Sequence, residues 1–184
     1  MILTGTEILK QVAGGGVVIT PASPGQENPV SFNYHLGPTL KCHRGGVIDT
    51  RADNALEEIA IPAEGMVLQP GRIYLGTTVE QIGSAEHVTS HIGRSSLGRL
   101  GMFLQYNADL GNVGAVHRWT LEIKVVQPLR VYAGMAVGQV TFWRTRGALQ
   151  AYGGRFGVID EATVAPEPLV SGRRPAGLPQ EVPA

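Results

Sequence analysis

Residues 119–126 read Trp119-Thr120-Leu121-Glu122-Ile123-Lys124-Val125-Val126. Side chains of a β-strand point alternately to its two faces. In this stretch Trp119, Leu121 and Ile123 therefore share one face, whereas Thr120 and Glu122 share the other. The alternation predicts a β-strand that turns one face to a hydrophobic core.

Similar patterns recur along the chain and predict an all-β protein. Strands are predicted at residues 17–19, 32–36, 47–48, 59–61, 66–68, 73–78, 88–92, 102–104, 129–132 and 137–143. They follow one another at roughly ten-residue intervals with glycine and proline turns between them, which is typical of a β-sandwich or barrel. A short N-terminal helix is predicted over residues 4–12, with Thr6 as its cap, and further short helical turns at 80–87 and 94–100.

Length and composition limit the class of protein. The chain has 184 residues, of which 43% are apolar and 16% charged, so residues 1–164 can form one domain with a sizeable core. Residues 165–184 are rich in proline and glycine and predict a flexible C-terminal tail. Lys and Arg together number 15, as do Asp and Glu, and this balance argues against bulk nucleic-acid binding.

Cysteine content and hydropathy point to the cytoplasm. Cys42 is the single cysteine, so no intramolecular disulfide can form, as expected in a reducing compartment. No apolar run reaches the roughly 18 residues of a membrane span. The first residues lack the basic and apolar regions of a signal peptide. We therefore expect a cytoplasmic protein with no membrane partner.

The strongest local signal for chemistry is the stretch Gly93-Arg94-Ser95-Ser96-Leu97-Gly98-Arg99-Leu100-Gly101. Two guanidinium groups and two hydroxyls within nine residues suit a phosphate and a nearby polar reaction centre. The alternative is a helical turn capped by Ser95 or Ser96, with solvated arginines. Glu122 is the second signal, either as a general base tuned by its surroundings or as an ordinary solvent-facing residue.

Several ordered motifs resemble the dCTP deaminase family, of the dCTP deaminase/dUTPase superfamily. They run in order from residue 1 to about residue 157 and include residues 1–8, 18–21, 36–37, 68–71, 77–80, 93–101, 121–122 and 133–139. The resemblance implies a distorted β-barrel or jelly roll of the dUTPase-like type. It also implies a homotrimer whose active sites are shared between subunits, and conversion of dCTP to dUTP and ammonia.

The resemblance also implies roles for individual residues. Glu122 activates the attacking water, Ser95 and Arg99 position it, and the carbonyl group of Ala108 helps to hold it. The residues that contact the nucleotide are Arg94, Ser96, Asn112, Gln139, Tyr152 and Arg155. Magnesium is carried by the phosphates of the nucleotide, and no zinc is used. A single cysteine cannot supply the ligand pattern of the zinc deaminases.

Three positions depart from the family pattern on the sugar and phosphate sides of the site. Asn112 stands where the related dUTPases have an aspartate that directs water to a phosphate, and an amide cannot act as a base; the nearby Asp109 is a possible replacement. Asn33 stands in place of another aspartate, and Ala151 in place of a lysine beside Tyr152. Alternative functions are a dUTPase-like pyrophosphatase, a deaminase of another cytosine nucleotide, and a non-catalytic nucleotide-binding relative.

Overall fold

The computed structural model describes residues 1–104, 107–153 and 161–162. In these residues the chain forms two short helices and thirteen strands. In chain order they are α1 (Gly5–Ala13), β1 (Val18–Thr20), β2 (Glu27–Asn28), β3 (Ser31–His35), β4 (Thr39–His43), β5 (Leu56–Ala60), β6 (Met66–Leu68), β7 (Ile73–Gly83), β8 (His87–Gly93), α2 (Ser95–Gly98), β9 (Met102–Leu104), β10 (Leu110–Gly111), β11 (Val116–Val125), β12 (Leu129–Val131) and β13 (Ala136–Arg144).

Two antiparallel sheets make up most of the described fold. Sheet I has the strand order β5-β4-β7-β11-β9, with β1 added along β7, and sheet II has the order β10-β8-β13-β3-β2. Strands β12 and β6 pair separately. Across the described residues the sheets form a distorted sandwich rather than a closed barrel. The prediction of an all-β fold with a short N-terminal helix is confirmed.

The core lies between the two sheets and follows the alternation of the sequence. On β11, Leu121 and Ile123 are fully buried, while Glu122 between them is half-buried on the opposite face. On sheet II, Phe32 and Phe142 are fully buried against them. Burial of each such side chain contributes about 1.5–3 kcal/mol, so this pattern fixes which face of each strand turns inward.

Three local predictions are wrong. Thr4, not Thr6, caps α1, because Thr4 has an extended backbone and its hydroxyl accepts the N–H of Glu7 at 3.3 Å. Residues 80–83 continue strand β7, since pairing with β1 and β11 holds both of its edges. Residues 47–48 are not a strand, and Val47 is 94% exposed.

Tyr34 links three strands of sheet II, β3, β13 and β8, close to the start of α2. Its ring crosses β13 at Gly138, where a Cβ atom would overlap the ring, and its hydroxyl donates to the carbonyl oxygen of Ile92 at 3.2 Å. Burial, reinforced by the negative charge of Glu80, raises the pKa of Tyr34. The phenol therefore stays protonated and keeps this bond at neutral pH.

Candidate functional site

The turn at residues 93–101 is held at both ends by backbone hydrogen bonds. At its start, Arg94 N–H donates to the carbonyl oxygen of Val137 at 3.3 Å. At its end, the carbonyl oxygen of Gly101 accepts the N–H of Val126 at 3.0 Å, and Gly101 has a φ of +86° that favours glycine. The turn therefore bridges from sheet II, at β13, to the end of β11 in sheet I.

The polar side chains of this turn are available to a ligand. Arg94 is half-buried, and Ser95, Ser96 and Arg99 are exposed. None of the four side chains forms a hydrogen bond or ion pair within residues 1–104, 107–153 and 161–162. The alternative of a serine cap is wrong, because Arg94 occupies the cap position of α2 and makes no side-chain cap bond. Guanidinium and hydroxyl donors without protein partners suit an anion.

Glu122 lies in the middle of β11 on the outer face of sheet I. It is paired in register with Leu75 of β7, which is paired in turn with Lys41 of β4. The next row toward the edge consists of Ile73, Lys124 and Phe103. Ile73 is 53% exposed and Phe103 is 42% exposed, so apolar surface adjoins the carboxylate.

Within the described residues of one chain, Glu122 forms no hydrogen bond or ion pair with the polar side chains of the turn at residues 93–101. Glu122 lies four residues before Val126, a distance of about 13 Å along a strand. Within the described residues, neither Ser95 nor Arg99 hydrogen-bonds or ion-pairs with Glu122. The predicted catalytic groups therefore do not form a hydrogen-bonded cluster within the described residues of one chain.

Residues 107–113 form the second part of the candidate site. Ala108, Asp109 and Asn112 are exposed. The segment is anchored to β8, because the carbonyl oxygen of Asp109 accepts the N–H of His91 at 2.7 Å. The side chain of Asp109 also accepts the hydroxyl of Ser90 at 3.2 Å.

The structure brings Tyr152 to this segment. Its backbone N–H donates to the carbonyl oxygen of Val113 at 2.8 Å, so Tyr152 lies beside Asn112. Arg155 lies outside the described residues, as does the predicted tail at 165–184.

Gln139 lies beside the turn in sheet II. It is paired in register with Ile92, two residues before Arg94. Its amide oxygen accepts the hydroxyl of Ser31 at 2.7 Å. Sequence analysis assigned Ser31 no contact in the site, because its hydroxyl is buried and its partner Gln139 is 108 residues away in the chain.

Three aromatic rings form a stack beneath residues 107–113. Trp119 lies between His91 and His117, with ring centroids 4.3 Å apart on each side. His117 is 7% exposed, and its ring packs against the indole. Burial, and secondarily the nearby His117, lowers the pKa of His91 to about 3, so His91 is neutral at physiological pH.

A carboxylate–imidazole pair joins strands β3 and β7. Glu80 is 2% exposed and accepts the backbone N–H of His35 at 2.9 Å, while its other oxygen contacts Nδ1 of His35 at 2.5 Å. Glu80 is thereby fully engaged by His35. We regard the pair as a structural tie between sheets I and II.

The donors of the turn suit phosphate oxygens rather than a cation. Among the described residues, no three His, Cys, Asp or Glu side chains are close enough to hold a metal ion. No helix in the described part of the chain is long and apolar enough to cross a membrane.

Fold and turn together define an all-β protein of the dUTPase-like class. A family model described as dCTP deaminase-like matches residues 2–145, and the chain belongs to that family. This confirms the resemblance seen in the sequence.

Individual relatives agree with the family. A protein of Hathewaya histolytica named "dCTP deaminase, dUMP-forming" is 39% identical over 152 residues, which are 83% of this chain and 88% of that protein. A protein of Leptospira biflexa with the same name is 41% identical over 152 residues, with 83% and 87% covered. A dCTP deaminase of Rhodopirellula baltica is 40% identical over 147 residues, with 80% and 74% covered.

A solved structure shows the same fold. The 2'-deoxycytidine 5'-triphosphate deaminase of Agrobacterium tumefaciens superposes with a TM-score of 0.61 at 24% identity. The match covers 77% of this chain and 47% of that one, so this chain spans about half the length of the solved protein. At this identity the likeness supports the fold and not individual site residues.

Proposed function

We propose that the protein deaminates dCTP to dUTP and ammonia without zinc, with Glu122 as the residue that activates water. The observation that carries the proposal is the turn at residues 93–101. Its guanidinium and hydroxyl groups have no protein partner in the described residues, and the chain is 39–41% identical to proteins named dCTP deaminase, dUMP-forming. Enzymes of that name are hydrolases that act on a cytosine nucleotide.

The proposed chemistry needs one carboxylate and three groups that hold the water in place. Water adds to C4 of cytosine while Glu122 takes one of its protons and delivers it to N3. Glu122 then moves the second proton from the new hydroxyl to the amino group, which leaves as ammonia. The C4 carbonyl of dUTP remains, so dCTP and water are converted to dUTP and ammonia. Ser95 and Arg99 orient the water, and the carbonyl oxygen of Ala108 accepts a hydrogen bond from it.

The phosphate side of the proposed site is basic and hydroxyl-rich. Arg94 and Ser96 would bind phosphate oxygens, with Gln139, Tyr152 and Arg155 contributing further nucleotide contacts. A guanidinium matches two phosphate oxygens at once, which favours a triphosphate over a nucleoside. Magnesium would enter the site bound to the nucleotide.

We also propose that the active site is shared between the subunits of a homotrimer. Support comes from the lack of a hydrogen bond or ion pair between Glu122 and Arg99 within the described residues of one chain, and from the exposed apolar residues beside Glu122. Ile73 and Phe103 flank that carboxylate's face of sheet I, and Val126 is 61% exposed at the end of the same strand. A second copy of the chain packed on this face would remove apolar surface from water. It would also bring the Ser95 and Arg99 of its own turn to Glu122.

A coupled hydrolysis to dUMP is the second candidate function. It is favoured by the names of the relatives, which describe dUMP-forming enzymes. Asn112 argues against it, because an amide cannot activate water for attack on a phosphate. Asp109 is exposed three residues away and could supply the carboxylate.

Ammonia release tests the proposal. The native protein is incubated with magnesium and dCTP, CTP, dCMP or CMP, and products are separated by anion-exchange chromatography. We expect ammonia and dUTP from dCTP, none from Glu122→Gln, and native rates from Glu57→Gln, which changes an exposed carboxylate on edge strand β5. Nucleotide binding without ammonia would contradict the proposal and favour the non-catalytic or pyrophosphatase alternatives, with dUTP as the next substrate.

A further inference from the structure

We propose that Ser31 is a positioning residue that sets the amide of Gln139 as a hydrogen-bond donor toward an oxygen of the bound nucleotide. The inference rests on the proposed function, because it concerns the same site. It begins with a single contact: the Ser31 hydroxyl donates to the amide oxygen of Gln139 at 2.7 Å.

The contact is placed where it can fix the amide. Ser31 is 3% exposed, so water does not compete for its hydroxyl. Gln139 is half-buried on β13, with Ile92 as its neighbour on β8 and Asn33 as its neighbour on β3. A primary amide whose oxygen is occupied can only present its N–H groups to a further partner.

Those N–H groups have no other partner in the described residues. The nitrogen of Gln139 makes no hydrogen bond there, and it is not sealed from solvent as the orphaned buried atoms of the protein are. Alternation places Gln139 on the same face of sheet II as Ile92 and Arg94. The amide donor therefore lies next to the turn whose donors suit phosphate.

The strands that carry this pair are held firmly. Tyr34, adjacent to Asn33, crosses β13 at Gly138 and bonds to the carbonyl oxygen of Ile92 at 3.2 Å. Arg94 N–H bonds to Val137, two residues before Gln139. Rigid backbone on three strands means that only the side-chain torsions of Gln139 remain free, and Ser31 restricts them.

Loss of the Ser31 hydroxyl is expected to free the amide rather than to remove it. In Ser31→Ala, Gln139 can rotate and present its oxygen to the anion, so nucleotide binding weakens. We expect KM for dCTP to rise by about 3- to 10-fold, the range of one hydrogen bond, with kcat within about twofold of native. Ser31→Thr keeps the hydroxyl and should restore the native KM.

A double-mutant cycle tests whether Ser31 acts through Gln139. KM, kcat and the calorimetric Kd for dCTP are measured for Ser31→Ala, Gln139→Ala and the double variant. We expect the double variant to match Gln139→Ala, because Ser31 has nothing left to orient. Thr141→Val is the matched control: it removes a hydroxyl from the same strand, where Thr141 bonds to the indole of Trp143 at 2.8 Å, and should leave KM unchanged.

Two results would overturn the inference. One is a native KM and Kd in Ser31→Ala; the other is a Ser31→Ala effect that is equally large with and without Gln139. If the native protein binds dCTP but does not turn it over, the proposed function is contradicted. The inference about Ser31 is still tested in that case, because the double-mutant cycle can be evaluated from the Kd values. The same variants are then measured with inorganic triphosphate as the probe. If Ser31→Ala still weakens binding, the oxygen that accepts from Gln139 belongs to a phosphate; if it does not, that oxygen belongs to the base or the sugar.

Discussion

The indole of Trp119 lies so close to the backbone of Gly111 that a Cβ atom at position 111 would overlap its ring. The same atom would overlap the hydroxyl of Thr89. Trp119 is itself held between His91 and His117 and donates to the carbonyl oxygen of Ile82 at 2.8 Å. The contact therefore sets how deeply residues 107–113 lie on the sandwich.

Replacement of Gly111 by alanine should destabilise the fold. Thr89 is buried and the indole packs against two imidazoles, so we expect a loss of about 1–3 kcal/mol in the free energy of unfolding. Urea denaturation of Gly111→Ala measures it. Gly153→Ala is the control, because nothing lies within 4 Å of a Cβ atom there. Equal stability of the two variants would contradict the close packing at Gly111.

Glu122→Gln should abolish deamination and leave nucleotide binding intact. Glutamine has nearly the same shape but cannot accept and return a proton, so the rate should fall by about 10²–10⁴-fold. Ammonia release gives the rate and calorimetry the Kd for dCTP. A native rate in this variant would refute the assignment of Glu122.

Mixing two inactive variants should restore activity if the site is shared. Glu122→Gln and Arg99→Ala each lack one of the two groups, but a mixed trimer contains interfaces where both are intact. Random assembly of equal amounts makes about a quarter of the sites complete. The measurement is ammonia release after co-refolding, with each variant alone as the control. No recovery in demonstrably mixed oligomers would place Glu122 and Arg99 in the same chain's site.

His91 should make stability fall as the pH drops. Its pKa is lowered to about 3 in the folded protein, so between about pH 6.5 and 3 the unfolded chain binds a proton that the folded chain does not. This contribution is complete above pH 6.5 and is lost on acidification, at up to about 1.4 kcal/mol per pH unit. His91→Phe keeps an aromatic ring against Trp119 and should flatten the slope of unfolding free energy between pH 7 and 5. An unchanged slope would contradict the burial of a neutral imidazole.

Asn112→Asp should shift the product from dUTP toward dUMP. A carboxylate at this exposed position can activate water for attack on a phosphate, which an amide cannot do. Products and pyrophosphate are quantified by anion-exchange chromatography. If the native protein already forms dUMP, Asp109→Asn becomes the informative variant, and loss of dUMP would identify Asp109 as the carboxylate.

The sequence by itself determined the fold class, the family and the residues of the turn. Alternation at residues 119–126 fixes which face of β11 is buried, because the period of a strand is two whatever its neighbours are. The turn at residues 93–101 could be recognised because its arginine and serine residues are close together in the sequence. The helix predicted at residues 80–87 failed because pairing along both edges of β7 outweighs local helix propensity.

Tertiary structure alone decided which distant residues meet. Ser31 and Gln139 are 108 residues apart, and only the register of β3 against β13 brings the hydroxyl to the amide. The close approach of Gly111 and Trp119 and the burial of His91 likewise depend on two sheets packing face to face. Periodicity specifies the face of each strand, but strand order and register come from the sum of cross-strand contacts, which no single stretch of sequence contains.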